Sequence, residues 1–364
     1  MKLLAIETSC DETSIAVVEK LESGFVRVIS HVLASSSKTH VKTGGIVPEV
    51  AAREQLTAII PTLEQTLAKA ISLEENTPTE NIPNKKLQAW VETQIDALAV
   101  TQGPGLIGSL LVGVETAKTL AYAWGKPLVP VNHIVGHIYA NWIETNQNQV
   151  SPPAFPLLAL TVSGGHTNLI YFKSHQDYTI IGTTRDDAAG ECFDKCARVL
   201  GLKYPGGPKI SKLAAQLNRQ TPPLNLKLPR PLLHEETYDV SFSGLKSAFV
   251  RQAHQLKQKK QLTEEAQQEL AYDLELAITE VFSKKVLKAI EEFQPKSFLL
   301  CGGVSANLRL RDSLKQLCEQ KRTTFFVPDF DYCMDNAAMI GAAAIYHSQP
   351  IEPVELKADP SLQM

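Results

Sequence analysis

The sequence predicts an α/β protein of two similar lobes, and three observations carry that prediction. At 364 residues the chain exceeds what one compact core usually holds. Three strand-like segments joined by short polar turns open it, and three more open its second half. Each meander is followed by helical periodicity and further strands, so the halves match in element order though not in residue identity. A pair of lobes of this kind would hold a nucleotide in the cleft between them.

The first lobe, expected over 1–150, begins with apolar strands at 3–7, 13–18 and 26–33, with Ser9-Cys10-Asp11-Glu12 and Glu22-Ser23-Gly24 as the bends. Helical spacing of apolar residues follows over 47–70. Residues 72–90, polar and rich in Pro and Asn, read as a surface insertion. A strand at 95–100 leads through Gly103-Pro104-Gly105 into a helix at 110–124. A strand at 127–131 and a short amphipathic helix bearing His133 and His137 close the lobe. The second lobe, 151–348, repeats the scheme with strands at 157–162, 167–172 and 178–182. A helical insertion over about 186–293 comes next, ending in a long helix at 264–293. Strands at 297–301 and 323–327 enclose a helix at 306–320, and a helix at 336–347 completes the lobe. Residues 349–364, with three prolines, read as a loosely attached tail.

Composition narrows the class. No apolar run is long enough to cross a bilayer, and the N-terminus enters a strand at Leu3 with no room for a signal or transit peptide, which points to the cytoplasm. The six cysteines include no CxxC pair, so buried reduced thiols are expected rather than disulfides; Cys192 and Cys196 are spaced to share a helix face but have no obvious further ligands. A formal net charge of −3 argues against a basic coat for nucleic acid, yet allows local patches. Lys246, Arg251, Lys257, Lys259 and Lys260 form one basic run, and Arg309, Arg311, Lys315, Lys321 and Arg322 another. Either reads equally as a solvated helix face.

Chemistry concentrates at His133-Ile134-Val135-Gly136-His137. On a helix the two imidazoles project from one face and form two thirds of a facial metal set, which a third ligand from elsewhere would complete. The pair also reads as two satisfied core or surface histidines. Three glycine turns follow strands: Gly103-Pro104-Gly105, Ser163-Gly164-Gly165-His166 and Gly302-Gly303. Each lets backbone N–H groups approach an anion beside a helix N-terminus, and each reads equally as a plain connection. Together with the histidines they point to a phosphate-bearing ligand beside a metal. Asp11 and Glu12 sit in the first bend, with a catalytic or a turn role.

These residues, in order and at similar spacing from about residue 1 to 346, resemble the TsaD family of tRNA adenosine threonylcarbamoyltransferases, once described as O-sialoglycoprotein endopeptidases. The resemblance rests on Ala5-Ile6-Glu7-Thr8-Ser9-Cys10-Asp11-Glu12-Thr13, on His40 with Gly44-Gly45-Ile46-Val47-Pro48-Glu49, and on Gly103-Pro104-Gly105. It continues through Asn132-His133, Gly136-His137, Val162-Ser163-Gly164-Gly165-His166-Thr167, Asp186-Asp187-Ala188-Ala189-Gly190-Glu191, Phe193-Asp194-Lys195 and Tyr204-Pro205-Gly206-Gly207-Pro208. Ser241-Phe242-Ser243-Gly244-Leu245-Lys246, Gly302-Gly303-Val304 and Asp335-Asn336-Ala337-Ala338-Met339-Ile340 complete it. The sequence departs from the pattern at Val135, where many members carry Glu, at Met334, and at Gln55, where a His often follows the Arg.

The resemblance implies a duplicated actin-like, sugar-kinase-like fold of the class shared with heat-shock chaperones. It implies one divalent metal, Fe²⁺ in preference to Zn²⁺, on His133, His137 and Asp335. Threonylcarbamoyl-AMP would bind along Thr161, Val162, Ser163, Gly164 and Gly165 and at Asp194, Gly207 and Asn307; Asp194 also reads as an ion-pair partner of Lys195, and Asn307 as a helix N-cap. The reaction implied is transfer of the threonylcarbamoyl group to N6 of the adenosine 3′ of the anticodon in tRNAs reading ANN codons. An exocyclic adenine amine is a poor nucleophile, so the carbonyl must be made more electrophilic by a metal or by oxyanion donors. The partners implied are tRNA, a paralogous non-catalytic TsaB-like subunit and a small TsaE-like ATPase. Two other classes stay open: a metallopeptidase, which would use the same histidines but lacks the Glu of His-Glu-x-x-His, and a non-catalytic scaffold, which would not need the histidines, Asp335 and the glycine turns.

Overall fold

The computed structural model of the chain describes residues 1–35, 46–145, 151–217, 226–347 and 349–364. By compactness the chain divides into two units, one of Met1–Pro152 with Pro328–Met364, the other of Pro153–Val327.

In the first unit β1 (Lys2–Glu7), β2 (Glu12–Lys20) and β3 (Val26–Ser35) form an antiparallel meander. β4 (Ala97–Gly103) and β5 (Leu128–Asn132) extend it in parallel, in the order β3-β2-β1-β4-β5. Strand side chains alternate between faces. Leu4 and Ile6 of β1 and Ile15 and Val17 of β2 therefore share one core with α1 (Pro48–Glu75), α2 (Asn84–Gln94) and α3 (Ile107–Trp124). Leu3, Ala5 and Glu7 fall on the other face, beneath the closing helix Ala337–Tyr346. That helix reads Ala-Ala-Met-Ile-Gly-Ala-Ala-Ala, and its small residues let it lie close: a Cβ on Gly341 would stand 2.5 Å from Val18 Cγ2. α4 (His133–Tyr139) packs against it just as closely, with Gly136 leaving room for Ile340.

The second unit repeats the sheet. β6 (Leu157–Val162), β7 (Thr167–Phe172) and β8 (Tyr178–Thr183) are an antiparallel meander, and β9 (Ser297–Cys301) and β10 (Thr324–Phe326) add in parallel on the β6 side, in the order β10-β9-β6-β7-β8. Position for position the two sheets have the same topology, the structural form of the expected duplication. Between β8 and β9 the chain forms α5 (Ala189–Val199), α6 (Gly206–Ala215), α7 (Ser243–Gln258) and α8 (Glu264–Phe293); α9 (Leu308–Gln320) links β9 to β10. Phe242, Phe249, Phe282 and Phe298 anchor their common core. The Ala337–Tyr346 helix is α10.

Three expectations change. The segment 72–90 is not a plain surface insertion: α1 runs on to Glu75, and α2 starts at Asn84 and buries Leu87, Trp90 and Val91 against the core. The tail is docked rather than loose. Ile351 bridges Leu128, Leu356 is wholly buried, and the Asp359 N–H donates to Gln102 O at 2.9 Å. Finally, residues 328–347 group with the first unit instead of the 151–348 lobe, because α10 buries its face on β1, β2 and α4. Among the described residues no helix is long and apolar enough to cross a membrane, and all six cysteines are free thiols, five of them buried.

Candidate metal centre and ligand turns

Asn132 ends β5 and starts α4 by accepting the Ile134 and Val135 N–H groups at 2.9 and 3.3 Å, an N-cap that turns the chain at the first histidine. His133 and His137 then lie one turn apart on one face, ring centroids 4.7 Å apart and nearly perpendicular. Asp335 arrives from the residue before the α10 cap. Its Oδ1 is 3.2 Å from His137 Nε2 and 3.5 Å from His133 Nε2. One ligand atom from each of the three residues lies within 4.8 Å of the others. Neither ring nitrogen of His137 has a hydrogen-bond partner among the described residues, although the ring is 2% exposed. Buried polar atoms are normally satisfied. His137 Nε2, 3.2 Å from the Asp335 carboxylate but in no hydrogen bond among the described residues, fits a cation held by two imidazoles and an Asp, so the residues suit the implied metal. Burial works against a charged His133, but the Glu7 and Asp335 carboxylates outweigh it and raise the imidazole to about 9.

Asp11 and Glu12 lie in the same unit, in the β1–β2 bend. Glu12 accepts from the Ser35 hydroxyl at 2.8 Å, while its Oε2 is buried without a hydrogen-bond partner among the described residues. Burial pushes Glu12 up to about 7, with repulsion from Asp11 and Asp335 adding to it against the Ser35 hydrogen bond. A carboxyl poised there exchanges a proton near neutral pH. The bend is braced by Gln55 of α1, whose Nε2 donates to the carbonyls of Thr8, Cys10 and Glu12. The turn 103–105 does not have the open form expected of an anion site. A Cβ on Gly103 would stand 1.7 Å from the Asp359 carbonyl oxygen, one on Gly105 2.4 Å from that of Ser9, and the Gly105 N–H donates to Pro360 O. Here glycine makes room for protein.

The second unit holds the remaining candidates. Thr161 and Val162 are buried within β6, and Ser163, Gly164 and Gly165 carry the segment to the surface. Around this turn a ring of contacts closes. Gly190, opening α5, donates to Ser163 O at 3.2 Å; Asp194, one turn on, accepts the Gly206 N–H at 2.6 Å where α6 begins. Ser211 of α6 meets Asn307 Nδ2 at 2.9 Å, and Gly302, at positive φ, lies so close to β6 that a Cβ would be 2.6 Å from Val162 O. Asn307 also caps α9 through Leu310 N–H and donates to Glu275 at 2.6 Å, while Asp194, lifted by burial despite the Gly206 and Gly207 N–H groups, holds α6. Both therefore have structural work in the ring that carries them. A Cβ added at Gly164 or Gly165 would meet nothing within 4 Å, and one at Gly207 only Phe193 Cβ at 3.9 Å. The ring thus leaves Gly164 and Gly165 open, while the first N–H groups of α5 and α6 are taken up within it: Ala189 by the Thr167 hydroxyl, Gly190 by Ser163 O and Gly206 by Asp194.

Against known sequences, residues 27–342 match the family described as TsaD, tRNA N6-adenosine threonylcarbamoyltransferase. The chain belongs to the TsaD family. It is 44% identical to the tRNA N6-adenosine threonylcarbamoyltransferase of Staphylococcus haemolyticus over 95% of this chain and 91% of that one. It is 43% identical to the enzyme of the same name from Moorella thermoacetica over 100% of this chain and 97% of that one. Among solved structures T. kodakarensis HypF matches at a TM-score of 0.56 with 13% identity, over 95% of this chain and 47% of that chain. That likeness is one of fold, the duplicated actin-like class.

Several site features escaped sequence reading. Glu7, wholly buried, lies 3.1 Å from His133 Nδ1; its signal was an acidic residue ending an otherwise apolar strand. Gln55 stood out only as a departure from the family pattern and Gly136 only as part of the motif, with no signal of what either packs against. Of the second basic run, Arg309 pairs with Glu275 at 2.8 Å and Arg311 is buried against Ser305 O, while Lys315, Lys321 and Arg322 are exposed; of the first run Lys246 pairs with Asp187, and Arg251, Lys257, Lys259 and Lys260 are exposed along and just past α7. His40, Gly44 and Gly45 lie outside the described residues.

Proposed function

We infer that the protein is itself the transferase of its family and moves a threonylcarbamoyl group onto N6 of a tRNA adenosine, the one 3′ of the anticodon, from threonylcarbamoyl-AMP. The observation that carries this reading is the convergence of His133, His137 and Asp335 within 4.8 Å, in a chain that belongs to this family. Those three residues would hold one divalent ion, Fe²⁺ in preference to Zn²⁺. When bound it supplies Lewis acidity toward the acyl carbonyl.

The rest of the chemistry belongs to the chain. Glu12, at about 7, takes the proton that N6 of adenine loses as the carbamoyl bond forms. Gln55 and the Ser35 hydroxyl hold it in place. The AMP part of the donor is assigned to the ring of the second unit, its phosphate to the open turn at Gly164 and Gly165, whose backbone N–H groups would stabilise charge on the leaving phosphate. Asp194 and Asn307 hold those elements as well as facing the ligand. The anticodon loop presents an unpaired base, so no duplex need open. A TsaB-like subunit and a TsaE-like ATPase are the partners this reading assigns, in the cytoplasm. A metallopeptidase reading fails on Ile134, which stands where such enzymes place their general base.

The test is to incubate the purified protein and its candidate partners with threonylcarbamoyl-AMP and unmodified tRNA, then to digest the tRNA and look by mass spectrometry for N6-threonylcarbamoyladenosine. Its appearance with parent protein and its absence with Asp335→Ala supports the reading. Peptide hydrolysis without tRNA modification overturns it.

A further inference from the structure

Beside the three ligand residues stands a wholly buried carboxyl, Glu7, that has no place in the reaction as described. Glu7 ends β1 on the same face as Leu3 and Ala5, the face that β1 turns toward α10. It is 0% exposed. A buried carboxyl is costly unless its oxygens are satisfied, and here they are. Oε1 accepts the Ser9 N–H at 2.5 Å; Oε2 meets the Thr101 hydroxyl at 2.5 Å and His133 Nδ1 at 3.1 Å. Ser9 follows β1 and Thr101 lies on the neighbouring strand β4, so the carboxylate is clamped by backbone and sheet before it reaches the histidine.

We propose that Glu7 is the positioning residue of the centre: it holds the proton of His133 on Nδ1 and thereby keeps the Nε2 lone pair aimed at the space shared with His137 and Asp335. The distances fix the assignment, because Nδ1 faces Glu7 while Nε2 lies 3.5 Å from Asp335 Oδ1. An imidazole whose far nitrogen donates to a carboxylate is oriented and made a better donor to a cation. The pair is asymmetric in this respect, since His137 Nδ1 is buried without a hydrogen-bond partner among the described residues. His133 is thus held at its far nitrogen by a carboxylate, and His137 is not.

The same geometry says what Glu7→Gln would do. The Ser9 N–H cannot turn away, so the Gln carbonyl must face it, and the Gln amide NH2 is left facing Thr101 and His133 Nδ1. Thr101 accommodates by rotating its hydroxyl. His133 can accept from the amide only by moving its proton to Nε2, where it blocks cation binding.

The proposal rests on the metal reading above, and its test separates the two. Zinc affinity is measured by chelator competition for the parent, Glu7→Gln and Thr101→Val proteins, each checked for folding by circular dichroism, and ¹⁵N-histidine NMR is recorded on the zinc-loaded parent. Expected are a 10- to 100-fold loss of affinity in Glu7→Gln, a smaller loss in Thr101→Val, and zinc on Nε2 of His133 with a retained Nδ1 proton. Zinc on Nδ1, or affinity within twofold of the parent in folded Glu7→Gln, overturns the proposal. Should the parent bind neither zinc nor iron, the metal reading fails; the Nδ1 proton of metal-free His133, shifted downfield by Glu7 or not, then decides the positioning role alone.

Discussion

The two sheets share one topology yet end differently at the same place. Where β1 and β4 end, the glycines of the 103–105 turn are filled by protein, Gly103 against the Asp359 carbonyl and Gly105 against that of Ser9. Where β6 and β9 end, a Cβ on Gly164 or Gly165 would meet nothing within 4 Å, and the start of α5 lies against the same turn at Gly190. Glycine serves opposite purposes at the two edges, close packing in one and access in the other. The filled edge gives a stiff floor under the bend of Asp11 and Glu12 and beside the His133–His137–Asp335 cluster. The open edge keeps backbone donors available to a ligand.

The largest expected effect removes what the first edge supports. Asp335→Ala and His137→Ala should each lose bound metal, read by elemental analysis, and lower transfer by roughly a thousandfold. Full occupancy in Asp335→Ala would take Asp335 out of the centre. Next comes Glu12. With a value of about 7, the parent's rate should rise with pH and reach half its plateau near pH 7, since the deprotonated form is the base. Glu12→Gln should lose about a hundredfold and flatten that limb. The sign for stability is opposite: a carboxyl raised by burial stabilises the fold only while protonated, and the benefit is lost as pH rises through about 7. Metal-free Glu12→Gln should therefore melt higher than the parent at pH 8 and near it at pH 5.

A direct contrast of the edges is smaller but sharper. Gly105→Val places a side chain 2.4 Å from the Ser9 carbonyl and should cost about 3 kcal/mol of stability in urea unfolding. A Cβ at Gly165 has no other protein atom within 4 Å, so Gly165→Val should cost less than about 0.5 kcal/mol, while affinity for a non-hydrolysable adenylate analogue falls at least tenfold by calorimetry. Unchanged affinity in both Gly165→Val and Gly207→Val would close the open edge as a ligand site. The smallest effect concerns tRNA. Reversing Lys257, Lys259 and Lys260 should lower the slope of log K against log salt by roughly one unit per lost phosphate contact and leave adenylate binding intact. An unchanged slope makes the α7 end an ordinary solvated surface.

Sequence alone determined the duplication, most of the element order and the two imidazoles on one helix face, whereas Asp335 entered only through the family resemblance. Those signals are local or periodic: the continuous apolar run of β6, the helical pattern over Glu264–Phe293 and the four-residue spacing of imidazoles. Tertiary structure alone decided how the pieces are held. Glu7, Gln55, Gly136 and the docked tail act across tens to hundreds of residues, through single hydrogen bonds or missing side-chain atoms that leave no period to read. The fate of the glycine turns was decided in the same way. A glycine looks alike in sequence whether a carbonyl or a ligand will occupy the space beside it, and only the folded chain shows that Asp359 fills one such space while the space at Gly165 stays open.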